Sequence, residues 1–209
     1  LRTFITEDTS RNDLVHHVYD VTYGIVRNNQ DTLVVLDDSI VRGTTLKESI
    51  LTMLDRLQPK KIIVVSSAPQ IRYPDCYGID MSKMGSFVAF QAAVALWKER
   101  GEYHVLEELH RACKEELLKP KEEARNLVKK VYEPYTDEQI SAKIADIIRP
   151  KHIFSDVQVI YQTIDNLHVA CPNNNGDWYF TGDYPTAGGN KVALNAFINY
   201  MEGKNIRAY

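Results

Sequence analysis

Apolar residues fall along the chain in two kinds of run. The first is short and continuous: residues 31–38 read Asp-Thr-Leu-Val-Val-Leu-Asp-Asp, and 61–65 read Lys-Ile-Ile-Val-Val. An apolar, β-branched run without polar alternation predicts a strand buried on both faces of a parallel sheet. The second kind recurs at three and four residues. Leu46, Ile50, Leu51, Leu54 and Leu57 form one stripe, which predicts an amphipathic helix between the two strands. Thr45 and Glu48 have capping-box spacing, so the helix is expected to open at Thr45, and Pro59 stands past its end. Strand, helix and strand make one βαβ unit, whose crossover is expected to be right-handed.

The same reading extends outward. Residues 11–27 start with a helical pattern and pass into a β-rich patch around Val21–Val26. The stretch Ser66-Ser67-Ala68-Pro69 to Arg72-Tyr73-Pro74 is loop by composition, and a helix is predicted from Ser82 to Arg100. From 101 to 150 Glu and Lys dominate, with Val105, Leu106, Leu109, Ala112, Cys113 and Leu117 at helical spacing. Thr136 and Gln139 form a second capping box, opening a helix that runs through Ile148 and stops before Pro150. Its charge reads as a solvated face. A strand is expected at Val157–Thr163, a polar turn at Pro172–Gly176, a loop at Gly182–Gly189 and a closing helix at Val192–Glu202. The fold class is therefore α/β, a parallel sheet flanked by helices with a helical C-terminal extension. The expected division is a nucleotide-type domain over 1–98, a helical appendage over 99–150 and an α+β tail over 151–209 that packs on the domain.

Composition narrows the functions open to such a fold. The chain has 209 residues, with 25 Lys and Arg against 28 Asp and Glu, a net charge of −3. Bulk electrostatic binding of nucleic acid is excluded. No apolar run approaches the roughly 20 residues of a membrane span, so no membrane partner is expected. Cys76, Cys113 and Cys171 match no metal or redox spacing, which reads as reduced thiols in a cytoplasmic protein. The chain opens at Leu1, which reads as the edge of a cut through a larger protein.

The chemistry concentrates in Asp37-Asp38-Ser39-Ile40-Val41-Arg42-Gly43-Thr44-Thr45. Two carboxylates stand at the carboxyl end of a parallel strand, where ligands bind in open α/β sheets. They can accept hydrogen bonds from vicinal hydroxyls or hold Mg²⁺ through water. The loop that follows offers Ser39, Arg42, Thr44 and Thr45 with a helix N-terminus, the makings of an anion site, and Gly43 permits close backbone approach. A ribose 5-phosphate satisfies both halves. The segment fits neither GxxxxGK[ST] nor GxGxxG, which disfavours a P-loop nucleotidase and a dinucleotide site.

This wording resembles the phosphoribosyl-pyrophosphate (PRPP) motif of the type I phosphoribosyltransferases, and within them the glutamine PRPP amidotransferases (amidophosphoribosyltransferases). Arg2-Thr3-Phe4-Ile5 with Arg11, Ser66 to Pro74, Tyr77 to Met81, and Thr181 to Thr186 resemble the same family. Residues 1–98 would then be the later part of a phosphoribosyltransferase domain. The resemblance implies that Asp37 and Asp38 bind the ribose hydroxyls and help position Mg²⁺, and that Ser39, Arg42, Gly43, Thr44 and Thr45 hold the 5′-phosphate. Arg2, Phe4 and Arg11 would belong to a loop closing over PRPP. The implied reaction is that of a glycosyltransferase. Ammonia from glutamine goes to C1 of PRPP, giving 5-phosphoribosylamine and pyrophosphate for purine synthesis, and no catalytic side chain of this chain is required.

Departures from the family shape the remaining expectations. The family's glutaminase domain uses an N-terminal cysteine, and no Cys precedes Cys76. That domain is expected outside this chain, and this part alone is expected to be inactive with glutamine. Thr6 to Ser10 replace the usual Pro and Gln of the closing loop, and Val18 stands near a usual Lys. Gly176 and Tyr179 stand where one branch has the CxxC of an iron–sulfur cluster, so no cluster is expected. Purine nucleotides as inhibitors and a homo-oligomer are expected from the resemblance. His16 and His17 are adjacent on a helical pattern, so they read as surface residues, and Trp178, Tyr179 and Phe180 read as packing residues. Arg72 to Asp80 follows the second strand at the same sheet edge, within reach of an acceptor or a regulatory nucleotide. The alternatives are a base-salvaging phosphoribosyltransferase and a non-catalytic PRPP or nucleotide sensor.

Overall fold

The structure, a computed structural model, describes residues 21–76, 81–173 and 176–208. Three strands, β1 (Thr32–Asp37), β2 (Lys61–Ser66) and β3 (Asp156–Tyr161), form one parallel sheet in the order β1-β2-β3. The register sets Asp37 opposite Ser66, and Ser66 opposite Tyr161. All three carboxyl ends therefore meet at one edge.

Between β1 and β2, helix α1 runs as a π-helical turn, Leu46–Ile50, and continues as an α-helix, Leu51–Asp55. The expected capping box does not form. Thr45 already has helical dihedrals (φ −60, ψ −40), and its side chain makes no capping hydrogen bond. The Lys47 N–H reaches the Gly43 carbonyl at 3.0 Å instead. The helical turn thus closes onto Gly43, and Thr45 lies too far inside it to cap. Residues 21–26 form turns rather than the expected β-rich patch, with Tyr23 and Ile25 exposed. Those two side chains have no core to face, so their β propensity is not expressed.

The other helices are α2 (Val88–Glu99), α3 (Tyr103–Leu117), α4 (Asp137–Ile148), α5 (Ile164–Ala170), α6 (Trp178–Thr181) and α7 (Ala187–Met201), with 3₁₀ turns at Met84–Ser86 and Leu127–Val131. The box at α4 is complete. Thr136 Oγ1 accepts from the Gln139 N–H at 3.2 Å, and Gln139 Oε1 accepts from the Thr136 N–H at 2.9 Å. Helix α7 begins five residues before the expected Val192, across Gly188 and Gly189, which are poor helix formers. Packing accounts for the second of them: a Cβ at Gly189 would lie 2.5 Å from Tyr184.

Helix α4 lies against β3 and α2, and α3 against α7. The core joins Ile62 and Val64 of β2 to Phe87 and Phe90, Leu106, Ile140, Ile144, Leu194 and Phe197. Phe90 meets Phe197 edge to face, with centroids 6.2 Å apart at 82°. Trp97 is buried, and its indole N–H donates to the Val131 carbonyl at 2.9 Å. Residues 103–148 therefore contribute to the same apolar cluster as the sheet. The strands are not buried on both faces as the continuous apolar runs led one to expect. One face carries Ile62, Val64 and Ser66, all buried. On the other, Val34 is 62% exposed, Leu36 78% and Ile160 42%. Among the described residues, helices cover only the first face.

Candidate functional site

The site starts where β1 runs out. Asp37 is its last residue, and the chain turns at once. Asp37 Oδ1 accepts the Asp38 N–H at 2.9 Å, and Asp38 Oδ1 accepts the Ser39 N–H at 2.6 Å. The end of β2 fixes this turn from the side. The Ser67 and Ala68 N–H groups donate to the Asp37 and Asp38 carbonyls at 2.9 and 3.1 Å. Ser67 Oγ reaches both carbonyls, at 3.3 and 3.1 Å. The carboxylates are thus held by a frame of backbone and hydroxyl bonds rather than by their own flexibility.

The loop beyond is anchored by apolar and backbone contacts. Ile40 is buried, and the Val41 carbonyl accepts the Val88 N–H at 2.8 Å, tying the loop to the start of α2. Gly43 has φ +69, the left-handed region. A Cβ there would lie 2.7 Å from Ile148 Cγ2 and 3.5 Å from Val88 Cγ2. Both facts require glycine. Only with Gly43 pressed this close to α4 does the chain enter α1 with Thr44 exposed and Thr45 half-buried. In the first turn of α1 the Lys47 N–H donates to the Gly43 carbonyl.

The two carboxylates differ in environment. Asp38 is exposed, whereas Asp37 lies on the helix-covered face, half-buried. Burial raises the Asp37 carboxyl above the usual carboxylate range, and the neighbouring Asp38 charge adds to it. Tyr161, at the end of β3, belongs to the same row. Its hydroxyl is buried and has no hydrogen-bond partner among the described residues. Burial pushes its phenol up, and the Asp37 charge adds to that. Tyr161 had no local signal in the sequence, because only the β1-β2-β3 register brings it beside Asp37.

The structure divides the expected site residues into two groups. Asp37, Asp38 and Ser39 form the turn under Ser67. Arg42, Gly43 and Thr44 line a cavity of about 700 Å³, which Asp37, Asp38, Ser39 and Thr45 do not line. The expected closing-loop residues Arg2, Phe4 and Arg11 lie outside the described residues, as do His16, His17 and 77–80. Arg72 is committed to the scaffold: it pairs with Asp137, bonds Gln70 Oε1 at 2.7 Å and stacks 5.2 Å from the Tyr132 ring. Its carbonyl accepts the Tyr132 hydroxyl at 2.7 Å, and its N–H donates to the Tyr179 carbonyl at 2.8 Å. Cys113 is buried, and burial with the Glu116 charge pushes its thiol up to about 12. Among the described residues no three His, Cys, Asp or Glu side chains group as a metal site. No helix among them is long and apolar enough to cross a membrane.

These features define an α/β protein with paired carboxylates and an anion-type loop at the carboxyl edge of a parallel sheet. Comparison with known proteins gives the class a particular likeness. The chain is similar to curated amidophosphoribosyltransferases. With that of Pasteurella multocida it shares 48% identity over 58 residues, 28% of this chain and 11% of the relative. With that of Saccharomyces cerevisiae it shares 39% over 87 residues, 39% of this chain and 17% of the relative. With that of Bacillus subtilis it shares 36% over 94 residues, 44% of this chain and 19% of the relative. The chain thus spans less than a fifth of the length of these relatives. No family model matches. Among solved structures, the glutamine PRPP amidotransferase of B. subtilis complexed with ADP and GMP aligns with 89% of this chain and 30% of its own. The TM-score is 0.41 and the identity 22%.

Proposed function

We propose that the Asp37–Thr45 segment binds PRPP and that the chain supplies the phosphoribosyltransferase part of an amidophosphoribosyltransferase. The observation that carries this reading is the turn after β1. Two adjacent aspartates, whose backbone carbonyls accept from Ser67 Oγ, lead over a left-handed Gly43 into the first turn of α1. Asp37 and Asp38 accept hydrogen bonds from the ribose 2′- and 3′-hydroxyls. Ser39, Arg42, Gly43, Thr44 and Thr45 hold the 5′-phosphate through hydroxyl, guanidinium and backbone N–H groups.

Carboxylate oxygens are the donors Mg²⁺ takes, and Asp37 and Asp38 would hold it together with ligand oxygens and water. Among the described residues no third His, Cys, Asp or Glu side chain groups with them. The ion would supply charge neutralisation for the leaving pyrophosphate. The reaction forms a C1–N bond with ammonia while the C1–pyrophosphate bond breaks. The protein's share is orientation of the ribose and exclusion of water. A loop containing Arg2, Phe4 and Arg11 closes over the ligand, and a glutaminase domain outside this chain supplies the ammonia. No iron–sulfur cluster is part of this reading. It also includes purine synthesis as the setting, purine nucleotides as inhibitors, a homo-oligomer and a cytoplasmic location.

Calorimetry with PRPP and Mg²⁺ tests the site. Wild type is expected to bind, and Asp37→Asn/Asp38→Asn to lose at least about tenfold in affinity, two charge-assisted hydrogen-bonding positions being removed. Equal affinity in a folded variant would refute the assignment. Ammonia-dependent release of pyrophosphate tests the reaction, and tight binding without release would favour a sensor.

A further inference from the structure

Asp37, Ser66 and Tyr161 form one row at the carboxyl edge, across β1, β2 and β3. The backbones of Asp37 and Tyr161 stand two strand spacings apart, roughly 9–10 Å. Ser66 between them is buried and short, and its hydroxyl is taken: Oγ donates to the Ala68 carbonyl at 2.8 Å. The buried Tyr161 hydroxyl has no hydrogen-bond partner in this row or elsewhere among the described residues. Other phenols packed in the core are provided for. Tyr132 donates to the Arg72 carbonyl and Tyr184 to the Pro74 carbonyl, both at 2.7 Å. Tyr135 has no hydrogen bond, but the Arg100 guanidinium stands 5.6 Å from its ring. A buried hydroxyl without a partner destabilises a fold, and phenylalanine would fill the same space without that cost. Burial keeps the Tyr161 phenol protonated, and so a donor, and among the described residues Asp37 is the one charge that acts on it.

We propose that Tyr161 is a positioning residue of the site after β1: with ligand bound, its hydroxyl donates to the Asp37 carboxylate and fixes the orientation in which that carboxylate accepts from a ribose hydroxyl. The proposal rests on the reading of Asp37 as a ribose ligand. Asp37 Oδ1 already accepts the Asp38 N–H at 2.9 Å, which holds the group from the loop side. The phenol adds a hold from β3, so both outer strands of the sheet set where the carboxylate stands. A donor aimed at Asp37 also offsets the repulsion between the two neighbouring carboxylates. Tyr161 touches no ligand atom itself. It lies 124 positions beyond Asp37 in the chain and outside the motif after β1.

Tyr161→Phe removes the hydroxyl and nothing else. Thermal melts of the full chain without ligand read stability, and titration calorimetry with PRPP and Mg²⁺ reads affinity. Tyr161→Phe is expected to melt at or above the wild-type temperature, yet to bind PRPP about three- to tenfold more weakly. A purely structural hydroxyl would do the reverse, lowering the melting temperature and leaving the affinity of the folded protein unchanged. A double-mutant cycle then locates the effect. In an Asp37→Ala background, Tyr161→Phe is expected to change affinity by less than about twofold, because the hydroxyl acts through that carboxylate. Wild-type affinity in Tyr161→Phe overturns the proposal. So does a loss as large in the Asp37→Ala background as in wild type, since the hydroxyl would then act elsewhere. Unchanged affinity in Tyr161→Phe beside weakened binding in Asp37→Asn/Asp38→Asn refutes this inference alone and leaves the functional reading standing. A folded wild type that does not bind PRPP refutes both.

Discussion

Gly43 is fixed twice over, by a φ of +69 and by the 2.7 Å approach that a Cβ would make to Ile148. An alanine must strain its backbone and push α4 away. Gly43→Ala is therefore expected to cost about 1–3 kcal/mol, read as a lower urea midpoint with an unchanged slope. It is also expected to weaken PRPP binding more than its stability loss explains, because the shift falls on the loop itself. Asp37 makes the opposite trade. Burial favours its neutral form, so the fold binds this proton more tightly than the unfolded chain does. The contribution is present at acid pH and is lost as pH rises through the raised native pKa. Asp37→Asn removes that loss. The variant is expected to match wild type in melting temperature at acid pH and to exceed it at neutral pH, by a small margin because solvent screens a half-exposed group. It should at the same time lose PRPP affinity. A melting temperature below wild type at neutral pH would show that the carboxylate is stabilising, against the burial argument.

At the scale of elements, short-range signals were legible wherever the local partner also won in three dimensions. Thr136 and Gln139 form the box their spacing announces, and α4 ends at Ile148 as its pattern implies. Thr136→Ala is expected to cost about 1 kcal/mol, checked by denaturant melts, with Thr136→Ser recovering most of it. Thr45 and Glu48 show the same spacing and form no such box, because the turn closes on Gly43 and carries Thr45 inside the helix. Helix α5 was not anticipated, although Thr163 caps it by accepting the Asn166 N–H at 3.1 Å. A seven-residue helix has too short a stripe to register by periodicity. The candidate site follows the same rule. The run Asp37 to Thr45 could be read because it is contiguous. Tyr161 could not, because strand register brings it in.

At the scale of the whole molecule, composition and core point in different directions over 99–150. The stretch is rich in charge, as a solvated appendage would be, yet Leu106, Cys113, Val128, Ile140 and Ile144 lie fully buried in one cluster with Ile62 and Val64 of the sheet. Apart from the buried Glu116, the charged side chains of α3 and α4 are exposed or half-buried, while α4 packs on β3 and α2 and α3 packs on α7. With Val34 and Leu36 exposed on the other face, the sheet depends, among the described residues, on that one packed side. Damage in α4 should therefore reach the strands. Ile144→Ala is expected to cost about 2–5 kcal/mol. The loss should lower one shared transition, seen at the same denaturant concentration by tryptophan fluorescence and by far-ultraviolet circular dichroism. Two separated transitions would instead show that 99–150 unfolds as a unit of its own. The α4 contact with Gly43 links this packing to the site, through the 2.7 Å that separates Ile148 from a Cβ at that position. The same variant is thus expected to weaken PRPP binding before the chain unfolds, since a loosened α4 no longer holds the loop from behind.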